Sequence, residues 1–217
     1  MKLFVDTGNL KDIEALAAIG VLDGVTTNPS LMAKESGDYR QILKQICQVV
    51  KGPVSAEVVA TDTAGMVREG RDLAAIDEHI VVKVPFTKDG VKACKTLAGE
   101  GTRVNVTLIF SATQAWLAAK VGASYVSPFV GRLDDVGTTG MNLIREIVDI
   151  FDNFDYATEV LVASVRHPIH VIEAARMGAD VVTAPPAVIE QCFKHPLTDI
   201  GLERFLKDWE KAQGAKV

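Results

Sequence analysis

The sequence predicts a (β/α)8 TIM barrel followed by one additional C-terminal helix. Short runs rich in β-branched residues alternate with longer stretches of helical spacing, a pattern typical of βαβ units and a parallel sheet. The chain has 217 residues, and α/β barrels commonly form one domain at about 200–250 residues. An open doubly wound sheet is the main alternative, but no strand run is followed by the GxGxxG turn that would favour it.

The predicted strands are short apolar runs, and each is followed by a helical stretch. In chain order the strands cover residues 3–5, 24–27, 54–58, 80–84, 104–108, 125–129, 160–163 and 181–183. The helices that follow them cover residues 10–19, 39–50, 63–75, 90–100, 112–121, 141–151, 168–177 and 187–193. Eight such units without a break predict closure into a barrel.

A ninth helix is predicted over residues 197–213. Leu202, Phe205, Leu206 and Trp209 stand at positions i, i+3, i+4 and i+7, which gives the helix an apolar stripe. No barrel strand remains for this stripe to cover, so it must pack on one end of its own barrel or on a neighbouring subunit. We expect residues 1–217 to form one domain, with this helix involved in packing or oligomerisation.

Composition argues against several other classes of protein. The hydrophobic fraction is 48%, but no run approaches the roughly 18 uncharged residues of a membrane helix. With 23 Lys+Arg against 28 Asp+Glu the net charge is −5, so nucleic acid is not the expected partner. Asp6 interrupts the opening apolar run, unlike a signal peptide, and Cys47, Cys94 and Cys192 show no metal or disulfide spacing. We expect a soluble cytoplasmic protein.

Polar residues stand in or just after several predicted strands, near the ends where barrel active sites are built. They are Asp6, Glu57, Lys83, Asn105, Thr107, Ser127 and Ser164. Strand alternation puts Asn105 and Thr107 on one face of their strand, and Ser127 and Phe129 on one face of theirs. If those faces point inward, the side chains converge in one pocket.

Lys83 is the most informative of these residues. It lies inside an apolar run, and parallel barrel strands are covered on both faces, so its charge is costly unless it is paired or neutralised. Burial favours the neutral amine, which is the form that attacks a carbonyl carbon. A purely structural ion pair between Lys83 and Asp6 or Glu57 is the alternative.

The two acids admit different interpretations. Asp6 ends the first strand just before a helix, so capping that helix is its simplest structural role. Glu57 has apolar neighbours and no helix start beside it, which makes capping unnatural. Near a lysine, both carboxylates could move protons during carbinolamine formation and carbon–carbon cleavage.

Five ordered motifs resemble one enzyme family. They are residues 4–7 (FVDT), 24–30 (GVTTNPS), 82–85 (VKVP), 105–111 (NVTLIFS) and 127–135 (SPFVGRLDD). Each stands at a strand end, and the set resembles the small transaldolases and their close relative, fructose-6-phosphate aldolase, over nearly the whole chain. The resemblance implies a (β/α)8 barrel and a Schiff-base lysine on the fourth strand at Lys83. We expect no cofactor or metal.

The resemblance also implies roles for individual residues. Asp6 would be the general acid/base at the C4 hydroxyl of the donor, and Glu57 with Thr107 would hold a water that carries protons. The residues that would bind the substrate or orient the lysine are Thr26, Asn28, Asn105, Ser127 and Phe129.

The substrate phosphate would lie among Arg132, Ser164 and Arg166. An arginine fork matches phosphate oxygens, and two arginines can neutralise the phosphate charge. The alternative for Arg132 is an ion pair with Asp134 or Asp135 in its own loop.

Two positions distinguish the branches of the family. The aldolase branch has glutamine at the position of Glu57 and tyrosine at that of Phe129, so both residues here are those of transaldolases. The implied reaction moves a dihydroxyacetone unit from sedoheptulose 7-phosphate to glyceraldehyde 3-phosphate, giving erythrose 4-phosphate and fructose 6-phosphate, in the pentose phosphate pathway. The alternatives are an aldolase that releases dihydroxyacetone, a metal-dependent barrel aldolase or isomerase, and a non-catalytic sugar-phosphate binder. The resemblance also suggests a homo-oligomer, a decamer or pentamer.

Two weaker motifs remain. His167 and His170 have the spacing of metal ligands, but no third ligand is evident and Pro168 favours an ordinary helix start. Residues 137–140 (GTTG) could bind a phosphate, although the flexible boundary of the next helix explains them equally well.

Overall fold

A computed structural model describes residues 1–214 and confirms the predicted barrel. Eight parallel strands close in chain order, and β1 pairs with β8 from Lys2 opposite Val181 to Val5 opposite Ala184. The strands are β1 (Lys2–Asp6), β2 (Gly24–Thr26), β3 (Val54–Glu57), β4 (Ile80–Pro85), β5 (Val104–Ile109), β6 (Tyr125–Pro128), β7 (Glu159–Val162) and β8 (Val181–Ala184).

The helices follow the predicted order with two short additions. They are α1 (Leu10–Ile19), α2 (Pro29–Met32), α3 (Tyr39–Val50), α4 (Thr63–Ala74), α5 (Lys88–Gly99), α6 (Ala112–Lys120), α7 (Val130–Asp134), α8 (Gly140–Asn153), α9 (Pro168–Arg176), α10 (Pro186–Cys192) and α11 (Pro196–Gly214). The additions, α2 and α7, follow β2 and β6; Asn28 of the predicted site caps α2, and Arg132 lies in α7.

Side-chain caps fix the starts of six helices. Each capping oxygen accepts a backbone N–H of the first helical turn, which that turn cannot satisfy internally. The capping residues are Asn9, Asn28, Asp38, Asp62, Thr87 and Ser111. Asn9 caps α1, so the capping role considered for Asp6 is wrong.

The barrel interior has an apolar layer below a polar one. Phe4, Val81, Tyr125, Leu161 and Val181 form a buried cluster inside the barrel. Strand alternation puts the residue two positions further along on the same face. On four of these strands that residue is polar: Asp6, Lys83, Ser127 and Thr183. The apolar layer closes the barrel from below, and the polar layer faces the carboxyl ends of the strands.

The C-terminal helix is longer than predicted by one residue at each end. Its apolar stripe is exposed, with Phe205 73% and Trp209 63% accessible. The stripe therefore does not fold back over its own barrel. Within residues 1–214, no helix has the length and apolar character needed to cross a membrane.

Candidate active site

Lys83 lies in the barrel interior, with 5% of its surface accessible. Its Nζ donates to the Thr27 carbonyl oxygen at 3.0 Å and lies 3.0 Å from Glu57 Oε2. The register explains this ion pair, because Glu57 and Lys83 are direct partners across β3 and β4. The ion pair considered from the sequence is thus present, and it joins Lys83 to Glu57.

Glu57 approaches Lys83 from outside the polar cavity. It lines a mostly apolar groove between β3 and the helices α2, α3 and α4, and Tyr39 and Glu69 line the same groove. Burial and the charges of Glu57 and Glu69 raise the pKa of Tyr39 to about 12. Glu57 therefore connects the lysine to a region outside the barrel interior.

A polar cavity of about 170 Å³ opens at the carboxyl ends of the strands. Ten of the twelve predicted site residues line it: Asp6, Thr26, Asn28, Lys83, Thr107, Ser127, Phe129, Arg132, Ser164 and Arg166. Glu57 and Asn105 do not line it, but each contacts a residue that does. The predicted residues therefore meet around one cavity.

Asp6 belongs to a buried chain of hydroxyl groups. The Thr26 hydroxyl donates to Asp6 Oδ1 at 2.8 Å, so the Thr183 hydroxyl, 2.7 Å from that of Thr26, donates to Thr26. Burial raises the pKa of the Asp6 carboxyl above its ordinary value, whereas the Thr26 hydrogen bond and the Lys83 charge act to lower it. The result is a carboxyl group able to accept or donate a proton nearer neutral pH.

Asn105 lies beneath the cavity in a second polar chain. Its Nδ2 donates to Ser55 Oγ at 3.1 Å, and Ser127 Oγ donates to its Oδ1 at 2.7 Å. These bonds fix the amide orientation and aim Ser127. Asn105 therefore acts on the cavity through Ser127, and not as a lining residue itself.

Thr107 is a buried cavity residue at an irregular point of β5. The pairing with β6 shifts register between Val106 and Ile109, and Leu108 has a φ of 59°. Among the described residues Thr107 Oγ1 has no hydrogen-bond partner. A buried hydroxyl is normally satisfied, so this one is suited to a water or substrate oxygen.

Two arginines stand at the cavity mouth. Arg166 Nη2 lies 2.7 Å from Asp135 Oδ2, and the Arg132 guanidinium lies over the Phe129 ring, 5.5 Å from its centre. Asp134 pairs instead with His170. The carboxylates considered as partners of Arg132 are thus held by other residues, and Arg132 is available to an anion.

The loop after β7 approaches α7 at backbone distance. Gly131 N–H donates to the Ser164 carbonyl at 3.0 Å, and a Cβ on Gly131 would collide with that oxygen and with Arg166. Ser164 has a φ of 59°, in the left-handed region that costs a non-glycine residue about 1–3 kcal/mol. This contact brings Arg132 and Arg166 to the same rim.

Comparison with known proteins matches residues 3–216 to the model of the family "Transaldolase/Fructose-6-phosphate aldolase". The chain belongs to that family. A protein of Nitrosopumilus maritimus named "Probable transaldolase" is 60% identical over 214 residues, 98% of this chain and 96% of that protein. Proteins with the same name from Kosmotoga olearia and Methanococcus maripaludis are 57% and 60% identical, each over 97% of this chain and 97% and 98% of theirs.

Structural comparison outside the transaldolase family shows the barrel fold alone. A thiamine phosphate pyrophosphorylase from Pyrococcus furiosus is similar with a TM-score of 0.60 and 18% identity, over 86% of each chain.

Sequence analysis of this transaldolase-family chain missed some residues of the site. Thr183 is not among the twelve predicted site residues, but its hydroxyl completes the hydrogen-bonded chain to Asp6. The Thr27 carbonyl oxygen accepts a hydrogen bond from Lys83, and Ser55 Oγ accepts one from Asn105. The sequence did carry a signal for Thr183 and Ser55, because strand alternation puts each of them on the inward face of its strand. A backbone carbonyl leaves no such signal in a sequence. Within residues 1–214, no group of three His, Cys, Asp or Glu is arranged to hold a metal ion.

Proposed function

We propose that this chain is a transaldolase that transfers a dihydroxyacetone unit between sugar phosphates through a Schiff base on Lys83. The observation that carries the proposal is a buried lysine, 3.0 Å from a carboxylate, in a polar cavity with arginines at its mouth. Relatives named probable transaldolases, at 57–60% identity over nearly the whole chain, support the same reaction.

The chemistry begins with proton transfer from the Lys83 ammonium to Glu57. The neutral amine then attacks the C2 carbonyl carbon of the ketose phosphate and forms a carbinolamine. Protonation of the carbinolamine hydroxyl by Glu57, through a water held by Thr107, releases water and leaves the Schiff base. Glu57 is suited to this exchange because it already contacts the amine.

Asp6 acts in the cleavage step. It accepts the proton of the C4 hydroxyl, the bond between C3 and C4 breaks, and the electron pair moves into the Schiff base as the aldehyde leaves. The three-carbon enamine on Lys83 then adds to the carbonyl carbon of an acceptor aldehyde, whose oxygen takes the proton back. The raised pKa of Asp6 favours both directions of this transfer.

Substrate binding is divided between the sugar and its phosphate. Thr26, Asn28, Ser127 and Phe129 contact the donor carbons and hydroxyls, while Asn105 orients Ser127. Arg132, Ser164 and Arg166 bind the phosphate, with the phosphate taking the place of Asp135 on Arg166. Bidentate pairing of arginine with phosphate is stronger than the exposed pair it replaces.

We also propose a single-domain, cytoplasmic enzyme of the pentose phosphate pathway that assembles into a homo-oligomer. The exposed apolar stripe of α11 supports the assembly, because such a face needs a partner. Cysteines without disulfide partners support a reducing compartment.

The proposal is tested by trapping the Schiff base. Wild-type protein treated with fructose 6-phosphate and borohydride should gain one three-carbon adduct on Lys83 by mass spectrometry. Lys83→Met should lose the adduct and all measurable transfer, since it keeps the chain length but removes the amine. Lys92→Met, the same change at an exposed helix lysine, is the control. An adduct that survives in Lys83→Met, or activity lost to excess EDTA, contradicts the proposal.

A second measurement distinguishes transfer from release. With fructose 6-phosphate as donor, we expect product formation to depend on an acceptor such as erythrose 4-phosphate, with little free dihydroxyacetone. Phe129 offers no hydroxyl to protonate the bound intermediate, so the intermediate waits for an aldehyde. Release of dihydroxyacetone as the main product would assign the chain to the aldolase branch instead.

A further inference from the structure

His170 is a buried histidine outside the cavity, on the first turn of α9. Its Nε2 lies 3.0 Å from Asp134 Oδ2, at the end of α7. Its Nδ1 accepts the Arg166 backbone N–H at 3.3 Å. Both ring nitrogens therefore have partners, and the partners belong to two different segments of the cavity rim.

These contacts define the tautomer of the ring. A backbone N–H can only donate, so Nδ1 must be the unprotonated nitrogen and Nε2 must carry the proton given to Asp134. Burial, followed by the neighbouring His167, lowers the pKa of His170, although Asp134 and Glu173 act in the opposite direction. A neutral ring is consistent with this geometry.

Asp134 connects α7, the loop after β7 and α9 to a fourth segment, the start of α8. Its Oδ1 accepts the Gly140 N–H at 2.8 Å, at the start of α8, while Oδ2 holds His170. Arg132 lies two residues before Asp134, and Arg166 is the residue whose N–H His170 holds. The ring thus ties together the segments that carry the two arginines.

We propose that His170 is a positioning residue that sets the spacing of Arg132 and Arg166 for the substrate phosphate. The inference rests on the proposed phosphate site, and it assigns a role to a histidine that the chemistry at Lys83 does not use. Without the ring, the loop after β7 keeps its contact with Gly131, but Arg166 loses the bond that fixes its backbone direction. A displacement of about 1 Å at a positioning group can cost up to about 100-fold, so we expect an effect of about tenfold.

The first measurement is binding of inorganic phosphate by calorimetry, which needs no catalysis. His170→Ala should raise the dissociation constant about tenfold. His170→Asn retains an acceptor near the Nδ1 position, and His170→Gln retains a donor near the Nε2 position, so each should recover part of the loss. His195→Asn, at an exposed histidine just before α11, is the control and should bind phosphate as wild type does.

The second measurement separates positioning from general damage. His170→Ala should raise the KM for fructose 6-phosphate about tenfold, with kcat changed less than threefold and borohydride trapping of unphosphorylated dihydroxyacetone on Lys83 unchanged. Unchanged phosphate binding in His170→Ala, no phosphate binding in wild type, or equal losses with dihydroxyacetone would overturn the inference. Failure of trapping in wild type, with phosphate binding still dependent on His170, would reject the proposed function and leave the positioning role standing.

Discussion

At the residue scale, the buried carboxyl of Asp6 lowers the stability of the folded protein at neutral pH. Its carboxyl is buried and its pKa is raised, chiefly by desolvation, so the ionised form is less favourable in the folded protein than in the unfolded chain. The stabilisation associated with the protonated form is fully present below the ordinary pKa of 3.8 and is lost as pH rises through the folded value. At neutral pH the folded protein carries this cost.

We predict that Asp6→Asn raises the free energy of unfolding at pH 7 and lowers kcat by about 10²–10⁴, the usual contribution of a general acid/base. Urea unfolding from pH 8 down to pH 4.5 measures the first effect, and the difference from wild type should shrink as pH falls. Asp149→Asn, at an exposed carboxylate in α8, controls for the change in net charge. A variant less stable than wild type at pH 7 would show that Asp6 stabilises the fold.

Sequence alone predicted most side chains of the site because strand alternation and strand ends locate them. Lys83, Thr107 and Ser127 follow from period-two alternation, and the structure brings them to one cavity. Sequence alone could not predict which carboxylate would pair with Arg166 and which would accept the hydrogen bond of the His170 ring. Arg166 takes Asp135 and His170 takes Asp134, because those choices depend on how the loop after β7 meets α7.

At the element scale, the contact of α7 with the loop after β7 shapes the end of the cavity where we propose that the phosphate binds. Gly131 N–H and the Ser164 carbonyl meet there at 3.0 Å, and the space beside Gly131 is filled by that carbonyl oxygen and by the Arg166 side chain. The backbone fixes the position of a Cβ atom, so a Cβ at residue 131 could not rotate away from the Ser164 oxygen. The two elements must therefore separate if Gly131 gains a Cβ.

We predict that Gly131→Ala destabilises the protein by about 1–3 kcal/mol, as overpacking does, and raises the KM for phosphorylated substrates. Thermal unfolding and steady-state kinetics measure the two effects. Gly99→Ala is the control, because Gly99 lies in α5 with open space where its Cβ would be, and it should be neutral or slightly stabilising. Equal stability and equal KM in the two variants would mean that α7 and the loop after β7 can separate without cost.

The long elements were predictable, and the short ones were not. Helices such as α3 and α8 present several turns of apolar periodicity, so their positions agree with prediction to within two residues. The four and five residues of α2 and α7 are too few to show a period of 3.6. The irregular pairing at Leu108 likewise depends on the neighbouring strand and leaves no local pattern.

At the scale of the whole molecule, the barrel and α11 differ in how they bury apolar surface. The barrel strands and their helices enclose a continuous core, whereas α11 presents Leu202, Phe205, Leu206 and Trp209 to solvent. Burying one large apolar side chain contributes about 1.5–3 kcal/mol, so this stripe represents a substantial unused stabilisation. In the homo-oligomer that we propose, a neighbouring subunit would cover this stripe.

We therefore predict that replacing two stripe residues dissociates the proposed homo-oligomer. Phe205→Glu with Trp209→Lys removes the largest apolar groups but adds an i, i+4 pair that supports the helix. Sedimentation velocity should show a lower mass than for wild type, with helix content by circular dichroism retained. Glu203→Gln with Lys207→Gln, on the polar face of the same helix, is the control and should keep the wild-type mass. A wild-type monomer, or a stripe variant with unchanged mass, would require another role for the exposed stripe.

Because the stripe is remote in sequence from the cavity residues, borohydride trapping on Lys83 should persist in the dissociated variant, and its loss would show that the neighbouring subunit completes the site.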